Sequence, residues 1–445
     1  MTLDMTRGKP ASLIARFALP IVLSSLLQQL YTMCDSMIVG RMLGDAAFAA
    51  VGSSSYLDWF PLSMLIGLSQ GFGVVMAQRF GAQDRDGLRR AAANGAGLML
   101  AVSALLSVLG VCGMDAFLRL LDTPQELMGL MAQYLGTLWL GLCATGLSNL
   151  LGATLRAMGD SRTPLVSLAV STLVNIALDV AFIALLGLGV RGAALATLIS
   201  RAVDVGVCVR GVKRSGAAWP RRSDWRWERR TVRELMRLGF PQLLSYGVCA
   251  TGELYVQAAI NRFGIAFVTG MTAAKRYFSL INVVGGGIEG AVATFVGQNY
   301  GARQPRRIAL GTRQATWLAL GSSLTITALV ALLSRPLILA FIPTAAPDVV
   351  QTGVDALRVQ VCCLWGLYLL CMYRAALQGM GNALAPMISG FLELVLRLAT
   401  AFALPRIVGA TGLYWTDAVT WLVTAAMLMA SYFVSARKRL ARLDR

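Results

Sequence analysis

The sequence predicts an all-α membrane protein of about twelve transmembrane helices in two pseudo-symmetric six-helix lobes. Three observations predict it. The first is composition: of 445 residues, 56% are hydrophobic and only 14% are charged, which excludes an ordinary soluble domain. The second is the recurrence of apolar stretches of the length that crosses a bilayer, roughly 20 residues each. The third is that the chain is written twice. Gln78-Arg79-Phe80-Gly81-Ala82 returns 220 residues later as Gln298-Asn299-Tyr300-Gly301-Ala302. Leu155-Arg156-Ala157-Met158-Gly159-Asp160, with Pro164, returns 222 residues later as Leu377-Gln378-Gly379-Met380-Gly381-Asn382, with Pro386. A weaker pair sets Leu19-Pro20 opposite Phe240-Pro241. Two membrane halves in tandem are the usual build of a secondary transporter, in which the repeats rock about a central site.

The first half gives spans over 13–38, 54–78, 92–114, 127–151, 164–187 and 190–212. The fifth and sixth are separated only by Gly187-Leu188-Gly189, whose glycines suit a tight turn. The second half gives 236–260, 274–297, 308–332, 354–378, 385–404 and 409–434. The domain plan is therefore an N-terminal lobe over 1–212, a basic linker over 213–233 and a C-terminal lobe over 234–445. No charged segment with a short apolar core and a small-residue cleavage site opens the chain, so no removable signal peptide is expected.

The net charge of +18 is unevenly spread. Basic residues gather before the first span (Arg7, Lys9), in the 2–3 loop (Arg79, Arg85, Arg89, Arg90) and in the 4–5 loop (Arg156, Arg162). They are densest from Lys213 to Arg237 and recur at Arg303, Arg306, Arg307 and Arg437-Lys438-Arg439. This is the positive-inside pattern, with both termini cytoplasmic in a bacterial-type inner membrane. It points to contact with anionic membrane lipids and not to nucleic acid. Trp219, Trp225 and Trp227 in the linker fit a stretch lying at headgroup level.

Several chemistries are absent from the sequence. There is no histidine, which removes His-based catalysis and the commonest zinc and copper ligands. The eight cysteines lie in or beside apolar spans without ligand-like spacing, so they read as small apolar side chains and no metal site is expected. No Walker loop is present to bind ATP. With no catalytic constellation, the protein reads as a transporter and not an enzyme. It would need no cofactor and would run on a proton or sodium gradient.

The intramembrane acids carry the functional signal, because a carboxylate at mid-bilayer costs about 2.5–3.5 kcal/mol on insertion scales. Span one offers Gln28, Thr32 and Asp35 at helical spacing, with Tyr31 beside them as a cavity-lining candidate. Span five offers Ser171, Asn175 and Asp179, four residues apart and on one face. Both stripes are expected to face a shared cavity in the first lobe, since lipid would leave them without partners. Two carboxylates in one low-dielectric cavity do not both ionise cheaply, which is what a proton carrier needs. Asp35 and Asp179 are therefore expected to exchange a proton, with Asn175 hydrogen-bonded to the pair. Pro20, fifteen residues before Asp35 on the same helix, is the expected hinge. In the second lobe, Glu289 is expected either to pair with Lys275 or Arg276 or to face the cavity. Glu393 and Arg397 are expected to form an i,i+4 ion pair, and Asp417 has no evident role.

Ala18-Leu19-Pro20, Asp35-Ser36-Met37-Ile38-Val39-Gly40-Arg41 with Leu43-Gly44, and the paired Gln-x-[Phe/Tyr]-Gly-Ala motifs resemble the MATE (multidrug and toxic compound extrusion) family. Leu155 to Asp160 and Asn261-Arg262-Phe263-Gly264 fit it as well, and the resemblance covers nearly the whole chain. It implies twelve helices in two lobes forming a V, and cation-driven export of amphipathic, often cationic compounds; a monomer is expected, though no sequence feature reads the oligomeric state. The acidic stripes are similar to those of the DinF-like branch, in which Asp35, Asn175, Asp179 and Pro20 fill the places of the proton-linked site. Thr197 is placed to join that network, and Asn149 on helix 4 is a looser candidate. In the NorM-like branch a cation site uses an acid on helix 7, which Glu253 could supply, and an aspartate deep in helix 10. Span ten holds only Asp355 at its outer start, so protons are favoured over sodium. The alternatives are a sodium-coupled exporter of the same family and a flippase for a lipid-linked saccharide. A flippase of that kind would line its cavity with Arg or Lys, whereas the intramembrane charge here is chiefly acidic.

Overall fold

The computed structural model describes residues 3–120, 123–343 and 346–443; the side chains of Arg437-Lys438-Arg439 lie outside what is described. The first half of the chain forms α1 (Pro10–Leu43), α2 (Asp45–Gly81), α3 (Arg85–Cys112), the short α4 (Met114–Leu120), α5 (Gln125–Leu140), α6 (Leu142–Ala157), α7 (Arg162–Val180) and α8 (Gly189–Ser215). The second forms α9 (Arg229–Asn261), α10 (Gly264–Gly301), α11 (Pro305–Phe341), α12 (Pro347–Cys362), α13 (Leu364–Gly379), α14 (Leu384–Val408) and α15 (Gly412–Leu443). No strand occurs among the described residues. The fourth and tenth expected spans are bent pairs, α5–α6 by 49° and α12–α13 by 43°. Among the described residues eight helices are long and apolar enough to span a membrane, or ten with each bent pair taken as one. Two more complete the expected twelve. One is α9, whose opening turns carry Arg229, Arg230, Arg233, Glu234 and Arg237; the other comes from separating α14 from α15, which run as one apolar stretch over Leu384–Val434.

The internal repeat is written in the backbone as well as in the motifs. Gly44 and Gly264 have φ of 82° and 84°, and Gly159 and Gly381 have 83° and 72°. Gly189 and Gly409 have 59° and 72°. Among non-glycine residues only Gln83 (57°) and Arg303 (53°) take positive φ in the described chain, and they too lie 220 residues apart. The left-handed region costs an L side chain about 1–2 kcal/mol, so its recurrence at matched positions reflects two copies of one design.

The chain divides into two compact units. Unit 1 contains Leu23–Leu243 and the N-terminal stretch ending at Asp4; unit 2 contains Met5–Val22 and the chain from Leu244 onward. The divisions therefore fall inside α1 and α9, each just past a proline, Pro20 or Pro241. In unit 1 the first part of α9 packs on α2 through glycines. A Cβ at Gly67 would lie 2.5 Å from the Gln242 carbonyl oxygen, and one at Gly71 would lie 2.5 Å from the Gly239 Cα. In unit 2 the first part of α1 packs on α10 at Gly287, the repeat of Gly67, against Val22 and the Ala18 carbonyl. Small residues at these crossings let helix backbones approach closely, which is how helices associate where lipid removes the hydrophobic drive.

The repeated motifs also hold the N-terminal segment. Leu3 N–H donates to the Gly159 carbonyl at 2.9 Å within unit 1. Within unit 2, Met5 is fully buried. Its N–H donates to Gln298 Oε1 at 2.9 Å, and its carbonyl accepts from Asn299 Nδ2 and Arg307 Nη2, both at 3.1 Å. The basic linker is docked in unit 1. Arg221 N–H donates to Asp224 at 2.8 Å, Arg89 of α3 lies 3.4 Å from the same carboxylate, and Glu228 N–H donates to Asn94 Oδ1 at 3.2 Å.

Candidate functional site

The candidate site lies in unit 1, on the second part of α1 and on α7 and α8. Asn175 and Asp179, one turn apart on α7, are both fully buried, and Asp35 of α1 is 7% exposed. With its amide oriented to satisfy both neighbours, Asn175 donates to Asp179 Oδ2 at 2.9 Å and accepts from the Thr197 N–H at 3.2 Å. Thr197 Oγ1 also lies 3.3 Å from the Tyr31 hydroxyl, which ties α8 to α1. The Asp35 and Asp179 carboxyls lie within hydrogen-bonding reach of one another. Each leaves its Oδ1 buried without a donor. Neither enters any ion pair among the described residues. Two carboxyl groups in contact, out of water and without a cation, form a hydrogen bond only if a proton sits between them.

Local sequence explains the placement. The Asn-x-x-x-Asp spacing puts both polar groups on one face of α7. Immediately after Asp179 and Val180 the helix widens into a single π turn, Ala181–Leu185, a local irregularity that recurs at functional sites. Val39, Ala47, Val51, Tyr134, Ile183, Val190, Ala193 and Ala194 form one buried apolar cluster, and its Tyr134 is an electrostatic neighbour of both Asp35 and Asp179.

The remaining expected site residues are not hydrogen-bonded to the pair among the described residues. Gln28 is half-buried and Thr32 exposed, and the Thr32 hydroxyl is spent on the Gln28 carbonyl of its own helix at 3.0 Å. Asn149 of α6 donates to the Thr145 carbonyl at 3.1 Å and is not a hydrogen-bond partner of the pair. Pro20 lies on the part of α1 that belongs to unit 2. Glu253, on α9 in unit 2, is exposed. Glu289 corrects one expectation: its partner is neither Lys275 nor Arg276 but Arg374 of α13, at 3.0 Å. The expected Glu393–Arg397 pair is also absent. Glu393 faces Arg374 at 3.4 Å, and Arg397 pairs with Asp417 of α15 at 3.2 Å.

Three charged residues that sequence reasoning passed over belong to unit 1. Asp58 of α2 has Arg201 of α8 and the Trp139 indole as polar neighbours. Asp204 of α8 accepts hydrogen bonds from Ser148 and Ser167. The signal was available: each is an acid or base inside an apolar span, the criterion that selected Asp35 and Asp179. No cluster of three or more metal-ligating side chains occurs among the described residues.

The MatE family model matches the chain twice, over residues 20–181 and 241–403, which coincide with the two copies of the repeat. The chain is 27% identical over 441 residues to a probable multidrug resistance protein NorM of Thermotoga maritima, covering 95% of this chain and 92% of the relative. It is 28% identical over 308 residues to the probable multidrug resistance protein YpnP of Bacillus subtilis, covering 68% of each. A solved outward-facing structure of a multidrug resistance MATE family transporter of the MOP superfamily superposes on the whole of both chains with a TM-score of 0.90 and 25% identity. The chain belongs to the MatE family and is a multi-pass membrane transporter.

Proposed function

We propose that the protein is a proton-coupled antiporter that exports amphipathic, often cationic compounds across the bacterial inner membrane by alternating access, with both termini in the cytoplasm. The observation that carries this reading is the contact between the Asp35 and Asp179 carboxyls without a cation. A shared proton holds α1 to α7. Its loss leaves two negative charges in a low-dielectric site, a repulsion that drives the two helices apart and leaves an anionic surface for a cationic cargo. Asn175 keeps Asp179 oriented through this change, and Tyr31–Thr197 links α1 to α8. Pro20 supplies a weakened point in the hydrogen-bond ladder of α1 at which the movement is absorbed.

Three further points support the reading. In unit 2, Glu289, Glu393 and Asp417 are each matched to an arginine, which leaves Glu253 as a poor basis for a sodium site. The NorM and YpnP relatives are named as probable multidrug resistance proteins, which favours drug-like cargo over a lipid-linked saccharide. Positively charged loops with exposed Trp225 and Trp227 suit a protein in contact with anionic membrane lipids.

The test is ethidium efflux from proteoliposomes under an imposed pH gradient or an imposed sodium gradient. Wild type is expected to respond to the pH gradient alone, and Asp35→Asn and Asp179→Asn to lose that response. Sodium-driven export that survives both substitutions would move the coupling site to Glu253 and sink this assignment.

A further inference from the structure

The last turn of α2 and the first turns of α9 enclose a groove in unit 1 of about 680 Å³, lined by Arg79, Arg229, Arg230, Arg233, Glu234 and Arg237. Arg79 is fixed there by two carboxylates, Asp84 at 2.9 Å and Glu234 at 2.5 Å. The four arginines of α9 are exposed and enter no ion pair among the described residues. Arg229, Arg233 and Arg237 succeed one another at i,i+4 on a single face, a spacing at which like charges destabilise a helix. A helix that opens on such a face is stabilised by a bound anion. The guanidinium fork matches the paired oxygens of a phosphate group better than a point charge does.

We propose that this groove binds the phosphate headgroup of an anionic phospholipid. Arg79 forms its back wall, with its nitrogens held by Asp84 and Glu234, and the arginines of α9 supply open forks. A headgroup is favoured over a free phosphate by the apolar edge of the same face. Phe240, three residues past Arg237, is 47% exposed where α9 turns apolar, and Trp225 and Trp227 before the helix are 55% and 61% exposed. Aromatic rings at such a boundary sit at headgroup depth, where acyl chains can cover them. The site is separate from the carboxyl pair, so it stands whether or not transport is proton-coupled.

The experiment is native mass spectrometry of the full-length protein in detergent, titrated with phosphatidylglycerol or with phosphatidylcholine. Wild type is expected to bind one phosphatidylglycerol saturably and in preference to phosphatidylcholine. The triple variant Arg230→Gln/Arg233→Gln/Arg237→Gln is expected to bind it about 100-fold more weakly, roughly fivefold per basic residue removed near an anionic partner. A control triple of equal charge in unit 2, Arg303→Gln/Arg306→Gln/Arg313→Gln, is expected to change it less than fivefold. Equal losses in both triples, or none in either, would show only diffuse surface attraction and overturn the site. Full displacement of the lipid by millimolar inorganic phosphate, with chloride as the control anion, would overturn the lipid assignment. If the groove triple does not fold, Arg233→Gln alone carries the test, with roughly a fivefold loss expected.

Discussion

Arg374 of α13 meets Glu289 of α10 at 3.0 Å and Glu393 of α14 at 3.4 Å, so one guanidinium serves two carboxylates from two other helices. All three side chains are largely buried, at 17%, 16% and 6% exposure. Replacing Arg374 with leucine leaves buried Glu289 without its ion-pair partner and Glu393 with only the more distant Arg397, and breaking a buried pair from one side costs about 3–5 kcal/mol. Arg374→Leu is therefore expected to lower the thermal transition steeply in detergent. Arg374→Leu with Glu289→Leu and Glu393→Leu should recover much of the loss, because the uncompensated charges go with it. A triple variant no more stable than the single would show that the cluster is not coupled in this way.

The matched left-handed residues give a second prediction, confined to the backbone. Gln83 and Arg303 are both exposed, with φ of 57° and 53°, and no side-chain packing is at stake. A β-branched residue tolerates this region worst. Gln83→Val and Arg303→Val should each destabilise further, on top of the cost that the glutamine and the arginine already bear, while glycine at either position should be neutral or slightly stabilising. Calorimetric stabilities that respond at one position and not at the other would contradict the equivalence of the two turns.

Asp84 closes the turn that follows Gln83 and caps α3. Burial raises its pKa, but the Gly87 N–H at 2.8 Å and the Arg79 guanidinium at 2.9 Å outweigh this and hold the carboxyl below its ordinary value. A depressed carboxylate contributes stability above its unfolded pKa, about 3.9, and loses it as pH falls through the lower folded value. Asp84→Ala should cost about 1 kcal/mol at neutral pH, the usual worth of an N-cap. The gap from wild type should stay constant down to about pH 4 and shrink below it. A gap unchanged at low pH would mean that the carboxylate charge is not what stabilises the turn.

Much of this architecture was legible because it rests on periodicity and copying. Gln78 to Ala82 and Gln298 to Ala302 located the two halves, and the Gly187-Leu188-Gly189 break marked the end of a span in which both glycines do take positive φ. Asn175 and Asp179 were legible because helical spacing alone puts them together. What the sequence withheld were partners between helices. Glu393 and Arg397 satisfy the i,i+4 rule, but each finds a better ion across an interface, and no local rule ranks a tertiary partner against a local one. Asp58 and Arg201 were legible as charges inside apolar spans; only their proximity to one another, on α2 and α8, was not. Thr32 sits at the right spacing from Asp35 and is exposed, with its hydroxyl bonded to the Gln28 carbonyl of its own helix.

The glycine crossings yield a prediction of opposite sign at two chemically similar sites. At Gly71 of α2 an added Cβ would lie 2.5 Å from the Gly239 Cα of α9, a backbone atom that only a helix shift can relieve. At Gly286 of α10 nothing lies within 4 Å of the same added atom, and φ is not left-handed. Gly71→Ala should thus destabilise by about 1–3 kcal/mol through overpacking. Gly286→Ala should stabilise by about 0.4–1 kcal/mol, because it removes chain entropy from the unfolded state without a clash. The pair can be read by thermal unfolding under identical detergent conditions. If both substitutions shift stability in the same direction, the α2–α9 contact is looser than the glycine spacing requires, and the close backbone approach is not what joins the first part of α9 to unit 1.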